Sequence, residues 1–556
     1  MTDLPEMAPG PPALSPRDSA DDPRVYAEPV DPWATAEAAA LSAGGHAVSP
    51  AVSPEVSPAV SPPVSPAVSP AASLGDQAGG PTTSPSSWRP GPDPDPDPGE
   101  PASAAQDRHG GRPRAYALLA GAVALVLVAG GVAAWHFWPG YRALDYRALG
   151  DVRRVPSAVP VSSSWSDAEV IGDRVYFASS DSETGAVGVV AIKAGAKKPA
   201  WASTAAGTAE RWESMVALPA GVALFSAANA TTGKREMAVL GAGDGHRLWN
   251  RPIGADDDVL FAGDVAVLVD RTEHRLVGLR DGDGAVRWQR ADPTTTLGTS
   301  TTVVAATTPA DLAGPATVAG RPLAPDLGDD PRIVQISADR SARVLDGTTG
   351  EVLATRQSVA DTNDEVIAHN GRLFVRESEN AQRIVSYRLD KLGEPQFLYT
   401  AQAANGGLSH LTACGDDRVC LVEENGYDTA TAEVVAVDAA KGGRIWHYPL
   451  AGADNLVPVG TAVLASTSTD TTVIDAAGRK VTGAGTVARL DAGNVLEFSK
   501  QLTGGTQDPS LAGQHIGDDP VQLGPLSDVR GDTCSWNRSV VACVADQDFV
   551  IARFTK

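Results

Sequence analysis

The four cysteines are the most chemically constrained residues of this 556-residue chain, and they stand in two close pairs. Cys414 and Cys420 flank GDDRV, and Cys534 and Cys543 flank SWNRSVVA, so each pair brackets a turn between two strands. Opposed residues on antiparallel strands bring their Cβ atoms to about 4.5–5.5 Å, a small adjustment from the roughly 3.8 Å of a disulfide. Of the three connectivities open to four cysteines, Cys414–Cys420 with Cys534–Cys543 is therefore expected. The spacing matches neither a zinc ribbon nor a redox CxxC, and a zinc site built from the quartet would have to join distant segments. Other chemistry is sparse. Asp256 to Asp258, Asp281 with Asp283, and Asp329 with Asp330 lack the distal Glu of an EF-hand loop and read as turn residues. His246, His369, His410, His447 and His515 are scattered, with no HExxH and no nucleophile elbow, and read as surface histidines. A phosphate loop and a kinase signature are missing as well. No catalytic residue, cofactor site or metal site is expected, and the chain reads as non-enzymatic.

The elements that carry these residues repeat. Six phrases align without gaps: AIKAGAKKPAW (191–201), VLGAGDGHRLW (239–249), GLRDGDGAVRW (278–288), VLDGTTGEVLA (344–354), YRLDKLGEPQF (387–397) and AVDAAKGGRIW (436–446). Four positions before the last residue stand Gly245, Gly284, Gly350, Gly393 and Gly442, with Lys197 the exception. A tight link between antiparallel strands needs a residue at positive φ there, which glycine adopts without steric cost. The last position holds Trp201, Trp249, Trp288, Ala354, Phe397 and Trp446, and a large flat side chain recurring in one register suits a wedge between neighbouring repeats.

An alternating run precedes each phrase, for example GDRVYFAS (172–179), GVALFSA (221–227) and GRLFVRE (371–377), and reads as a half-buried strand. Weaker copies follow at 461–481, 494–500 and 539–554. The expected fold is all-β: a β-propeller of four-stranded blades, eight by this reading, or seven because residues 501–531 contain no clear strand phrase. One interval, Asp292 to Pro331, is stretched by Thr, Ala and Pro and reads as an irregular excursion from one rim, with a strand at Thr301 to Ala306. Long loops on rigid scaffolds carry recognition, so this segment is a binding-site candidate beside the alternative of a tolerated insertion.

The recurring phrase resembles the PQQ-like β-propeller repeat, AxDxxTGxxxW, shared by quinoprotein dehydrogenases and the outer-membrane assembly lipoproteins of the BamB type. The family's Asp is matched at Asp346, Asp438 and Asp475, with Asp390 shifted by one. The resemblance covers most of 165–556, and the anchored, Ala- and Arg-rich chain is similar to membrane-anchored proteins of this kind in high-GC Gram-positive bacteria. It implies either a protein-interaction scaffold or a quinone enzyme. Quinoproteins of this fold hold their cofactor under a vicinal Cys–Cys disulfide, and this chain has no adjacent cysteines. The scaffold reading is therefore preferred, and a degenerate quinoprotein-like enzyme or a ligand sensor stays as the alternative.

Composition sets the rest. Residues 1–113 hold 24 of the 42 prolines, including the four-residue period SPAV SPEV SPAV SPPV, and cannot bury a core. They read as a disordered cytoplasmic tail. Ala115 to Trp138 contains no charged residue, enough length to span a bilayer core of about 30 Å, and Tyr116, Trp135, Phe137 and Trp138 sit where interfacial aromatics belong. Residues 114–138 are expected to be a single transmembrane helix acting as a signal-anchor, 139–160 a juxtamembrane linker, and 161–556 the extracytoplasmic propeller. A cleaved signal peptide fits less well, although Val132 to Ala134 resembles a peptidase site. Arginines flank the span on both sides, so charge does not decide orientation. The paired cysteines do, by placing 161–556 in an oxidising compartment and the N-terminus in the cytoplasm. A net charge of −23 argues against nucleic acid, leaving a protein or a cell-envelope polymer as the expected partner.

Overall fold

The computed structural model describes residues 141–556 apart from positions 151, 163, 294–297, 299, 316–329, 379–381, 403–405, 426–427 and 483–484. The expected tail and transmembrane helix lie outside the described residues. Among the described residues no helix is long and apolar enough to cross a membrane.

The alternating runs form strands linked into antiparallel meanders. The middle strands of the meanders are largely buried, and in Gly221–Ser226 and Val540–Ala545 every residue is buried. A strand buried on both faces needs a packed layer on either side. The sheets supply this for one another. Seven sheets each contain one four-stranded meander, and the eight-stranded sheet is two meanders joined by a short parallel contact, Ala306 with Ala368 and Thr307 with His369. The described residues thus form nine blades: 166–203, 212–254, 258–291, 301–356, 365–400, 407–449, 455–482, 486–525 and 529–553. The ninth takes its outer strand, Arg153–Val155, from the start of the described chain. Nine hydrophobic clusters lie between them, one for each neighbouring pair, including blade 9 with blade 1. The arrangement is a closed β-propeller ring.

Three expectations are corrected. The ring has nine blades, not seven or eight, because 501–531 contains the outer half of blade 8, Ser510–His515 and Val521–Pro525, and a short strand Thr506–Gln507 that pairs with blade 9. Its patterning is weak for a packing reason: Gly513 lies under the ring of Tyr146, where an added Cβ would meet the ring at 2.3 Å. Secondly, residues 141–160 do more than link. Arg153–Val155 pairs with Ile551 to Phe549 and closes the ring, while Leu144, Tyr146 and Leu149 pack on the cluster between blades 8 and 9.

The third correction concerns the wedge register. Trp201, Trp249, Trp288 and Trp446 each pack on the glycine of the next blade's outer turn: Gly245, Gly284, Gly350 and Gly478. These glycines have φ between 66° and 78°, and a Cβ on them would meet the indole at 2.4–2.8 Å. Three indoles also donate Nε1–H to a carbonyl of that turn, Trp201 to Ala242 (3.1 Å), Trp249 to Asp281 (2.7 Å) and Trp288 to Gly347 (2.9 Å). In blade 5 the phrase is out of phase by one residue. Gln396 stands in the wedge slot and donates its side-chain amide to Ala439 O at 2.7 Å, Leu392 at φ 45° takes the left-handed slot, and Gly393 is not at positive φ. Phe397 therefore faces outward, 62% exposed, since a one-residue slip in a strand reverses the face. Gly442 keeps its φ of 72° but has no atom within 4 Å of an added Cβ.

Between blades 4 and 5 the complementarity is inverted. The wedge is the small Ala354, and Leu392, buried to 1% exposure, occupies the glycine slot within the same cluster. Trp249→Ala or Trp288→Ala should cost about 3–5 kcal/mol, as aromatic truncation in a core does. Ala354→Trp alone should destabilise by overpacking, and adding Leu392→Gly should recover part of that loss. Urea midpoints of the two single variants and the double variant measure the coupling, and strict additivity would show that the slot does not pair these positions.

Candidate functional site

The first-to-second and third-to-fourth strand turns fall on one face of the ring, here the turn face; blade 9 lacks the second of these because Arg153–Val155 supplies its outer strand. A concavity on this face has a volume of about 820 Å³ and is walled by turns of blades 6, 7 and 8 around Asp416, Gly460, Asp475 and His515. Tyr141 and the segment Pro309 to Leu312 complete it. That segment belongs to the long insertion. Thr301–Thr307 is the inner strand of blade 4, as the expected strand there foretold, and the chain then makes a single helical turn, Asp311–Ala313. Leu312 is buried, and Gly314 O accepts Arg489 Nε at 2.6 Å from the inner strand of blade 8. An insertion that starts on blade 4 and reaches blade 8 crosses the mouth of the central opening. This replaces the expected excursion from one rim.

Arg489 is 1% exposed and also donates Nη1–H to Pro458 O at 2.6 Å, so one guanidinium ties blade 7, blade 8 and the insertion together. Next to it, Asp491 is fully buried; its Oδ1 accepts Gly493 N–H and Asn494 Nδ2–H at 2.9 Å, and its Oδ2 pairs with Arg538 Nε at 2.8 Å. Burial and then the Asp491 charge raise the Tyr146 phenol well above its ordinary range. None of these residues stood out in the sequence. A single Arg within TVARL carries no pattern, and its partners are backbone carbonyls far away in the chain.

The cysteines are joined as expected, Cys414–Cys420 and Cys534–Cys543, each beside an inner-strand turn. Loops this short confer roughly 2 kcal/mol apiece in the chain-entropy account. The histidines do not converge. His515 lines the cavity, whereas His369 is buried with Nδ1 2.9 Å from Thr307 Oγ1, and its burial lowers its pKa despite Asp416 and Asp311. His447 pairs with Glu433 at 2.9 Å and His246 with Asp244, both on the surface.

Asp329 lies outside the described residues; the other members of the acidic runs are engaged in turns. Arg271 gathers Asp256 to Asp258, donating Nη2–H to Asp258 and its backbone N–H to Asp257. Partial burial works against the charge of Asp475, but the backbone and side chain of Arg479 more than offset it and hold its carboxyl low. Among the described residues no three His, Cys, Asp or Glu side chains are disposed to hold a metal ion. The cavity is walled mainly by backbone and small side chains, with Asp416, Asp475, Arg479 and His515 among its polar lining.

Residues 142–290, which cover the closing strand and blades 1 to 3, match the family described as outer membrane protein assembly factor BamB. Among solved structures, BamB from Moraxella catarrhalis is similar at 15% identity, a TM-score of 0.35, and coverage of 73% of this chain and 98% of that one. A europium-containing methanol dehydrogenase is similar at 12% identity and a TM-score of 0.35, over 63% of this chain and 85% of that one. The Sqt1 protein of Saccharomyces cerevisiae is similar at 9% identity and a TM-score of 0.36, over 69% of this chain and all of that one. No curated protein matches the chain. The family match and the stacked four-stranded sheets together support a BamB-like, PQQ-like propeller.

One titration follows from the wedge slots. Asp281 supplies the carbonyl that accepts Trp249 Nε1–H and is itself a buried residue, and burial followed by the neighbouring Asp264 pushes its pKa up to about 7. The folded state then binds a proton that the unfolded state has released between about pH 4 and pH 7, so stability falls as pH rises through that window. Asp281→Asn should flatten this dependence and raise stability at pH 8 by roughly 2 kcal/mol. Urea midpoints at pH 5 and pH 8 check it, and an unchanged pH slope in the variant would sink the assignment.

Proposed function

We propose that this chain is a membrane-anchored, non-enzymatic β-propeller that acts outside the cytoplasm as a protein-interaction scaffold or an envelope-binding module. The match of residues 142–290 to the BamB assembly-factor family carries the reading. A closed ring supports it physically, since the turns and links of its blades present a large surface whose loops vary without loss of the core. The uncharged stretch Ala115 to Trp138 supports a single anchoring helix. Two disulfides support an oxidising compartment for the ring, which leaves the Pro-rich tail in the cytoplasm.

Topology and function have separate tests. Protease added to intact cells should remove the ring and spare the tail, and digestion of the tail instead would reverse the orientation. Crosslinking of the ring in intact envelopes, followed by capture, should return a defined protein or polymer; quinone-dependent dehydrogenase turnover by the purified chain would displace the scaffold reading.

A further inference from the structure

The neutral and charged forms of a buried histidine differ by one N–H that needs an acceptor, so the surroundings decide which form the fold accepts. His369, 1% exposed, ends the inner strand of blade 5 at the point where the insertion leaves the ring. The two segments run parallel there: Thr307 pairs with His369, and Asn370 N–H bonds Thr307 O at 2.8 Å. Thr307 Oγ1 directs its one proton at Ala368 O (3.1 Å) and therefore accepts from His369 Nδ1–H at 2.9 Å. Nε2 is left with the lone pair, buried and without a hydrogen-bond partner.

One residue later the insertion turns over the cavity. Asp311 starts the helical turn and accepts Thr308 Oγ1–H at 2.9 Å, Leu312 is buried, and Pro309, Ala310 and Leu312 form the cavity wall. Beyond the turn, Arg489 holds Gly314 O at 2.6 Å. The described part of the insertion thus has two attachments. The guanidinium–carbonyl bond at blade 8 keeps its charge at any ordinary pH, whereas the imidazole–hydroxyl bond at blade 5 involves a group that titrates near neutrality.

We infer that His369 is an acid-operated latch: protonation frees the blade 5 end of the insertion, and the wall of Pro309, Ala310 and Leu312 opens while Arg489 keeps the far end in place. The charged groups facing the ring are Asp416 and Asp417 of the blade 6 turn, the latter paired with Arg372 at 3.0 Å, and Asp311 of the insertion. Burial lowers the His369 pKa and outweighs these carboxylates and the Gly415 backbone, which favour the proton. The docked form therefore takes up the proton less readily than the released one. Docking is fully favoured above the ordinary histidine value of about 6.5 and is lost as pH falls through the lowered one. Gly415 and Asp416 also line the cavity, so the latch and the cavity share the blade 6 turn. The inference uses the ring alone and does not depend on the anchor.

The full chain in detergent tests it with one label and two substitutions. All four native cysteines are paired, so Ala310→Cys, at an exposed position of the wall, offers one thiol for an environment-sensitive fluorophore. Its emission should change in one reversible step with a midpoint below about pH 6.5. Amide exchange of residues 306–315, corrected for the intrinsic effect of pH, should rise several-fold across the same step while the inner strands of blades 1 and 2 stay protected. His369→Asn keeps a donor for Thr307 and does not titrate, so it should abolish the step and leave the segment protected at pH 5. Asp416→Asn, in a chain that retains His369, removes a carboxylate that favours the proton and should move the midpoint to lower pH. No step in the parent chain, or an undiminished step with His369→Asn, would overturn the latch. Were His369→Asn to unfold, an unmoved midpoint with Asp416→Asn would overturn it equally.

Discussion

Closure is the constraint on which the ring depends. Every blade has two apolar faces, so an open array would leave one face of its first and last sheets in water. Arg153–Val155 prevents this by pairing with the last strand of the chain, and Phe177 of blade 1 stacks on Phe549 of blade 9 at 4.7 Å between ring centroids. Residues separated by about four hundred positions thus become neighbours. Contacts of such long sequence separation form late and at a loop-closure cost, and the consecutive meanders can assemble locally before they are joined.

Between closed neighbours, register is maintained by volume exchange. A large wedge meets a glycine slot at four junctions, and at the junction of blades 4 and 5 a small wedge meets Leu392. The next junction replaces indole by an amide, with Gln396 making the hydrogen bond that tryptophan makes elsewhere. What recurs is a filled slot and a capped turn carbonyl, and several residue types can supply them. Interiors packed to crystal density tolerate such exchanges when the total volume is conserved.

The insertion from blade 4 turns a hollow ring into one with a partly covered mouth. Arg489 makes that cover part of the core by bonding Gly314, so the cavity beneath Pro309 and Leu312 has a wall contributed by opposite sides of the molecule. A site assembled this way depends on the ring staying closed, which links the outer strand of blade 9 to the shape of a cavity elsewhere.

Local chemistry made the repeat, the strand-turn-strand phrases and the cysteine pairing legible from the sequence. Alternation needs only neighbouring residues, a left-handed turn selects glycine, and two cysteines across a short hairpin have few other partners. Tertiary structure alone decided the rest. Blade 8 was obscured because Gly513 and its neighbours answer to Tyr146, a residue of the leading segment. Phe397 looked like a wedge by position and proved to face outward, since an offset of one residue is invisible until the partner strand sets the register. The ninth blade, the path of the insertion across the opening and the cavity around His515 all arise from contacts between segments hundreds of residues apart, which no local pattern encodes.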